Sequence, residues 1–178
     1  MGRGPGVDMM LVQFTGKELL AFGRKIPATC VVRNEQNGWR KRDQVVLTKG
    51  QTEPWGLPYY PRQFPRGEWE ITRVVDMGKD TEYWPVYIDT NAEQKLRVWD
   101  IEDGEYYSPT YRWVTGKGYG IHHARYKKGG EFLKSNTTLG CINVLSPDDA
   151  VWLADHIRNA FGMRQKVYIH VPPWKDWK

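Results

Sequence analysis

Apolar and polar residues alternate in short runs along most of this chain, which is the pattern of half-buried β-strands. The runs 9–14 and 17–21 flank the turn residues Thr15 and Gly16, so we expect an opening β-hairpin. Further runs of this kind predict strands at 27–33, 44–48, 68–75, 83–90, 95–99, 113–115, 119–124 and 165–171. The alternation therefore predicts a mainly β fold.

One stretch near the C-terminus repeats at helical spacing instead. Ser146 stands where an N-cap is needed, Pro147 follows at the first helical position, and two acidic residues come next. Apolar residues then recur every three or four positions up to Phe161, and Gly162 is placed to end the helix. We expect one C-terminal helix packed on the β-sheet, within a single domain over residues 1–178.

Several segments lack a clear pattern. Residues 1–8 and 172–178 are predicted to be loose ends, and 100–108 is predicted to be a loop. The polar segment 34–65, rich in proline, glycine and aromatic residues, is predicted to be a long, partly ordered excursion.

Composition narrows the possible classes of protein. The 178 residues are 40% hydrophobic and 26% charged, which is typical of a globular domain. No apolar run approaches the roughly 18 residues of a membrane helix, so no membrane span is expected. The net charge of +5 allows an anionic partner, but the basic residues are scattered and no nucleic-acid-binding motif accompanies them. Nine Trp and ten Tyr favour a β-rich fold with an aromatic-lined groove.

The chemistry-bearing residues are two histidines and a later cysteine. His122 and His123 precede Cys141, which directly follows Gly140. A thiol needs a base to become a nucleophilic thiolate near neutral pH, and an imidazole within hydrogen-bond reach supplies one. Backbone N–H groups near Gly140 and Cys141 can stabilise an oxyanion. The pattern is typical of thiol acyl transfer.

Adjacent histidines on a strand point to opposite faces, so at most one of the pair meets Cys141 directly.

A zinc site needs three or four converging ligands at characteristic spacings, and these residues lack them. No metal and no other cofactor is expected. Cys30 is interpreted as a small buried hydrophobic residue, and His156 and His170 as surface or packing residues.

With these residues in place, the chain resembles the L,D-transpeptidase catalytic domain of bacterial cell-wall enzymes. The resemblance is carried by IHHA at 121–124 and TLGCINV at 138–144, with His122 and Cys141 standing 19 positions apart. The segment FPRGEWEI at 64–71 resembles an upstream strand of the same family. The resemblance implies a β-sandwich or barrel with one C-terminal helix packed on it.

The resemblance also implies roles for single residues. Cys141 matches the nucleophile, and His122 matches the general base, although a shift of one position would give that role to His123. Gly140, together with Cys141, matches the backbone of the oxyanion hole. Asn143 matches a position that supports the loop and the substrate.

The implied reaction is acyl transfer on peptidoglycan stem peptides through a Cys141 thioester. An amine acceptor gives L,D-transpeptidase activity, and water gives L,D-carboxypeptidase activity. Trp113, Tyr119 and Arg125 are predicted to line the substrate groove. The protein is expected to act as a monomer, without a metal or organic cofactor and without a nucleic-acid partner.

Two departures from the family's pattern keep an alternative open. Leu139 stands where most members have histidine, and 34–65 has no clear counterpart. Both departures fit a non-catalytic or altered-specificity wall-binding or phage-type module that retains the fold. Papain-like enzymes place cysteine before histidine, and caspase-like enzymes need several helices, so these two classes are disfavoured.

The location follows from the implied substrate. The first ten residues show no apolar segment followed by a cleavage site, so no secretory signal is predicted in this chain. Wall chemistry takes place in the envelope, the periplasm or outside the cell. We therefore expect the protein to act there after a cytoplasmic stage, and a phage-borne protein, delivery by a secretion system or a signal already trimmed from this chain would each explain the pattern.

Overall fold

A computed structural model describes residues 9–31, 39–41, 44–46, 63–102, 105–138, 140–173 and 176–177. The first strands are β1 (Met9–Phe14), β2 (Glu18–Ala21), β3 (Arg24–Thr29), β4 (Trp39–Lys41), β5 (Gln44–Val46), β6 (Gly67–Asp76) and β7 (Val86–Thr90). They are followed by β8 (Gln94–Glu102), β9 (Glu105–Gly116), β10 (Gly120–His122), β11 (Arg125–Lys128), β12 (Glu131–Lys134) and β13 (Ile142–Val144). The helix α1 (Pro147–Gly162) and the strand β14 (Lys166–Val171) complete the described part.

Eight of these strands close into a barrel. Their order around the barrel is β1-β14-β6-β7-β10-β13-β3-β2, and β2 pairs back onto β1. Most neighbours run antiparallel, but β1 pairs with β14, and β10 with β13, in parallel. The parallel β10–β13 pair matters most for function, because it places the histidine segment beside the cysteine segment.

The barrel surrounds one hydrophobic core. Alternate positions of the strands, among them Val12, Ile26, Ile88, Ile121, Ile142 and Ile169, are fully buried there. Helix α1 contributes a buried stripe formed by Ala150, Leu153, Ala154, Ile157 and Ala160. Burying one such Leu or Ile side chain contributes roughly 1.5–3 kcal/mol, so the helix is held mainly by this stripe.

The ends of α1 follow from local chemistry. The Ser146 side chain accepts a hydrogen bond from the backbone N–H of Asp149, as expected for an N-cap. The Asp149 carboxylate also forms a 2.7 Å ion pair with Arg24 at the start of β3. The predicted end was one residue early, since Gly162 is still helical and Met163 is the C-cap.

Two smaller sheets extend from the barrel. One has the order β4-β5-β8-β9, and the other is the hairpin of β11 and β12. The loop predicted at 100–108 is wrong, because β8 and β9 pair through most of this segment. The glycine- and lysine-rich segment between His123 and Cys141 likewise forms the β11–β12 hairpin.

Most other predictions of strands are confirmed, with shifted ends. The opening hairpin, β6, α1 and β14 lie where the pattern placed them. The strand expected at 27–33 instead covers Arg24–Thr29, so Cys30 lies just beyond its end. Within the predicted excursion 34–65, the segments 32–38, 42–43 and 47–62 lie outside the described residues, and β5 matches part of the predicted strand 44–48.

The two chain ends differ from each other. Residues 1–8 lie outside the described residues. The tail is less loose than predicted, because the Trp177 ring packs edge-on against Phe14 with 5.0 Å between centroids. The Trp177 indole N–H also donates to the carbonyl of Pro172 at 2.9 Å. Across the described ranges, no helix is both long enough and apolar enough to cross a membrane.

Candidate active site

The candidate site lies where β7, β10 and β13 meet. In the register of these strands, His122 of β10 stands beside Asn143 of β13 on one side and Tyr87 of β7 on the other. Their neighbours Ile88 and Ile121 point into the core, and side chains alternate along a strand. Tyr87 and His122 therefore share the face of the sheet that is turned away from the core.

Cys141 lies immediately before β13, and its side chain is only partly buried. The backbone N–H of Gly120 donates to its sulfur at 3.4 Å. The thiol points to the Gly118 carbonyl at 3.7 Å, and the Tyr87 hydroxyl lies 3.6 Å from the sulfur. Only glycine fits at position 120, because an added Cβ would collide with the Tyr87 ring.

Tyr87 joins the cysteine to the histidine. Its hydroxyl donates to the Gly118 carbonyl at 2.8 Å, beside the cysteine sulfur. Its ring stacks on the imidazole of His122, with 5.5 Å between centroids and an angle of 22°. Burial, and then the neighbouring Cys141, raise the pKa of Tyr87 above its ordinary value, so its hydroxyl stays protonated.

His122 is held as a neutral base. Its side chain is 5% exposed, and burial lowers its pKa from 6.5 to about 4. Its Nδ1 lies 3.1 Å from the carbonyl oxygen of His123. Since a carbonyl only accepts, the Nδ1 of the neutral ring carries the proton and Nε2 keeps a lone pair. The Tyr83 ring packs edge-on against the imidazole at 5.0 Å between centroids.

His123 has a different environment. Its Nδ1 lies 2.8 Å from the carbonyl of Val144, at the end of β13. Burial lowers its pKa, and the nearby cations Lys134 and Arg125 lower it further. The His123 ring therefore interacts with the end of β13 and with the hairpin cations. His122 instead contacts Tyr87, which also contacts Cys141.

The loop before the cysteine is clamped by Thr138. Its hydroxyl donates to the Cys141 carbonyl at 2.7 Å and accepts from the N–H of Gly140 at 3.1 Å. Gly140 has φ +127°, in the range that favours glycine. Leu139, the predicted departure from the family's pattern, lies outside the described residues.

Asn143 holds the β11–β12 hairpin in place. It is 0% exposed, its Oδ1 accepts from the N–H of Ala124 at 3.0 Å, and its Nδ2 donates to the carbonyl of Ser135 at 2.9 Å. These bonds hold both ends of the β11–β12 hairpin. The described bonds of Asn143 are thus to the hairpin, and its predicted contact with substrate stays a prediction.

Arg125, one of the residues predicted to line the groove, bonds to backbone groups of the protein. The Arg125 guanidinium donates to the carbonyls of Lys79 and Thr81 and lies over the rings of Trp84 and Phe132. It thereby fastens the segment before β7 to the hairpin, which is a different role from the predicted contact with stem carboxylates.

Tyr119 is buried rather than placed in a groove. Its ring packs edge-on against Phe64, and its hydroxyl accepts from the amide of Gln94 at 2.8 Å. Trp113 belongs to β9, but its side chain lies outside the described residues.

Sequence reasoning missed Tyr87 and Thr138. The signal for Tyr87 was present, because an aromatic residue between Val86 and Ile88 must leave the core. Its place beside Cys141 depends on strand pairing that no local pattern reveals. In the described part of the chain, no group of three or more His, Cys, Asp or Glu is placed to hold a metal ion.

Comparison with known proteins identifies one family. The family model of the L,D-transpeptidase catalytic domain (YkuD) matches residues 29–176, which include the whole candidate site. No curated protein matches the chain. A solved L,D-transpeptidase structure from Xylanimonas cellulosilytica is similar at 16% identity with a TM-score of 0.41, and the match covers 94% of this chain and 62% of that one. By its family match, the chain belongs to the L,D-transpeptidase catalytic domain family.

Proposed function

We propose that this protein is a cysteine-dependent acyltransferase that acts on peptidoglycan stem peptides, with Cys141 as nucleophile and His122 as general base. The observation that carries the proposal is the shared contact with Tyr87. Its hydroxyl lies 3.6 Å from the Cys141 sulfur, and its ring stacks on the neutral imidazole of His122. His123, engaged at the end of β13, serves as support.

The first step creates the nucleophile. The thiol proton of Cys141 passes to Nε2 of His122, which becomes an imidazolium held through Nδ1 by the His123 carbonyl. The Gly120 N–H, which already donates to the sulfur, stabilises the thiolate. A low pKa makes His122 a weak base in the resting site, so we expect the thiolate to form as substrate binds and attack begins.

The second step forms the thioester. The thiolate attacks the carbonyl carbon between the third stem residue and the terminal D-Ala, and the carbonyl π electrons move onto oxygen. Backbone N–H groups near Gly140 and Cys141 stabilise this oxyanion. When the oxyanion collapses, the C–N bond breaks and the D-Ala amine leaves with the proton held by His122.

The third step releases the enzyme. An acceptor amine or water attacks the thioester, loses a proton to His122, and expels the Cys141 thiolate, which is then reprotonated. An amine from a second stem gives a cross-link, and water gives a trimmed stem. The two outcomes differ only in what reaches the thioester.

A second function remains a competitor because of Leu139. This residue stands where most family members have histidine, so position 139 lacks the polar side chain that those members carry there. A wall-binding module that retained the fold and lost the reaction would bind stems without releasing D-Ala.

The test is incubation of purified protein with a disaccharide tetrapeptide, alone and with an amine acceptor, followed by mass spectrometry. The wild type should release D-Ala, and Cys141→Ala should abolish the release because no thioester forms. Cys30→Ser is the matched control, since it changes the other cysteine and keeps a hydrogen-bonding group. A wild type that binds stems but releases no D-Ala from any stem type would favour the binding module.

We further propose that the protein acts in the cell envelope as a monomer. The substrate class supports this location, because peptidoglycan lies outside the cytoplasm. Fractionation of cells that express the chain, and light scattering of the purified protein, test the two statements separately.

A further inference from the structure

We propose that Cys30 is a positioning residue that orients the Gly140–Cys141 peptide group for oxyanion binding. The proposal rests on the function proposed above and concerns a residue which that function does not use. It replaces the interpretation of Cys30 as a mere space-filling hydrophobic residue.

Cys30 contacts the nucleophile loop, by which we mean residues 138–141 before β13. Its side chain is 6% exposed, just past the end of β3. Its thiol donates to the carbonyl of Gly140 at 3.3 Å, and its sulfur accepts from the N–H of Phe64 at 3.4 Å. Since a carbonyl oxygen only accepts, the Cys30 S–H is the donor in its contact with Gly140, while the sulfur receives the Phe64 N–H.

The Gly140 carbonyl belongs to the same peptide group as the Cys141 N–H. In a trans peptide these two groups point in opposite directions. Because the Gly140 carbonyl faces the buried Cys30, the Cys141 N–H is turned away from Cys30, which is the orientation that would let it donate to a substrate oxyanion.

The neighbouring peptide groups are held by a different residue. The Thr138 hydroxyl accepts from the Gly140 N–H and donates to the Cys141 carbonyl, so it fixes the peptide groups before and after the central one. Gly140, with φ +127°, imposes little preference of its own on the central peptide group. The hydrogen bond from Cys30 therefore supplies an orientation that Thr138 does not set.

Two reactions of Cys141 separate this role from a general effect on the thiol. Acylation by p-nitrophenyl acetate passes through an oxyanion, whereas alkylation by iodoacetamide does not. Both are followed by mass spectrometry of the peptide that contains Cys141. Cys30→Ala and Cys30→Val should slow acylation about tenfold or more, because a misaimed oxyanion donor is costly, and should leave alkylation within about twofold.

Cys30→Ser keeps one donor and one acceptor, so it should restore acylation to within about threefold of the wild type. Ile26→Val is the matched control, since it trims a buried residue of the same strand that has no bond to the loop. It should lower thermal stability slightly and leave the ratio of the two rates unchanged.

Three results would overturn the proposal: acylation and alkylation falling together in Cys30→Ala, neither rate changing, or Cys30→Ser behaving like Cys30→Ala. A wild-type Cys141 that is alkylated but never acylated would also overturn it. If Cys30→Val fails to fold, the Ala and Ser variants decide. Neither reaction needs a wall substrate, so failure of the proposed function, seen as no D-Ala release, is distinguishable from failure of this inference.

Discussion

Two neighbouring regions of the β10–β13 junction use similar residues for different purposes. On the outer face, Tyr87, His122 and Cys141 form a contiguous polar group around a partly exposed sulfur. On the same strands, His123 just after β10 bonds to the Val144 carbonyl, and Asn143, fully buried beside His122, bonds to both ends of the β11–β12 hairpin. The difference teaches that residue type and motif position do not separate chemistry from support. Both imidazoles use Nδ1 on a backbone carbonyl, so what distinguishes His122 is its stacking on Tyr87, whose hydroxyl lies beside the Cys141 sulfur.

The largest expected effect comes from replacing each of the two histidines separately by glutamine. His122→Gln keeps a donor for the His123 carbonyl but removes the basic nitrogen, so D-Ala release should fall about 10²- to 10⁴-fold. His123→Gln can still donate to the Val144 carbonyl, so its activity should fall about tenfold at most. Steady-state rates on a tetrapeptide stem measure both. Equal losses in the two variants would break the distinction between the regions.

The dependence of stability on pH sharpens the same comparison. Folded His122 resists protonation down to about pH 4, whereas the unfolded residue takes up a proton near 6.5. As the pH falls through this window the unfolded state binds more protons, so stability present above 6.5 is lost towards 4, by about 3 kcal/mol. Urea unfolding at several pH values measures this loss.

In His122→Gln the slope between pH 6.5 and 4 should become shallower. His170→Gln, at an exposed position of β14, controls for the loss of a histidine elsewhere in the barrel. An unchanged slope in His122→Gln would show that other groups are responsible for the acid sensitivity.

The support region should show its effect in stability. Asn143→Ala leaves the Ala124 N–H and the Ser135 carbonyl without a buried partner, so the free energy of unfolding should fall by about 2–3 kcal/mol. The same variant, where still folded, should retain its rate of iodoacetamide alkylation at Cys141. If alkylation is lost while stability is kept, Asn143 would instead act directly on the reactivity of Cys141.

The smallest expected effect belongs to Tyr87→Phe. The ring still stacks on His122, but the hydroxyl no longer contacts the sulfur and the Gly118 carbonyl, so activity should fall about tenfold with little change in stability. Tyr83→Phe is a matched control on the neighbouring ring that packs against the same imidazole. If the Tyr87→Phe variant keeps the wild-type rate, Tyr87 contributes packing alone.

Much of the fold was predictable because its signals are local. Alternation identified β6 and β14, and the Ser146–Pro147 cap identified the start of α1. The facing ends of β8 and β9 were missed, because the stretch 100–105 is mostly charged and resembles a loop in sequence. The error at β3 had the opposite origin, since the apolar residues 30–32 extended the predicted strand beyond Thr29, where the pairing with β13 ends.

The candidate site was predictable only in part. The order of histidine and cysteine, the adjacent glycine and the family resemblance identified His122 and Cys141 as candidates. Arg125 and Tyr119 were predicted to line a groove because a sequence does not show whether a polar side chain already has partners within the protein. Their partners, the carbonyls of Lys79 and Thr81 and the amide of Gln94, lie far away along the chain.

By itself, then, the sequence determined the mainly β class, the single helix, the cysteine and the pair of histidines, because periodicity, capping and motifs act between residues close along the chain. Only the tertiary structure decided that His122 shares Tyr87 with Cys141, that Asn143 and Arg125 are supports, and that Cys30 lies under the nucleophile loop. The physical reason is that these assignments depend on the pairing of β10 with β13 and β7, and on burial that follows closure of the barrel.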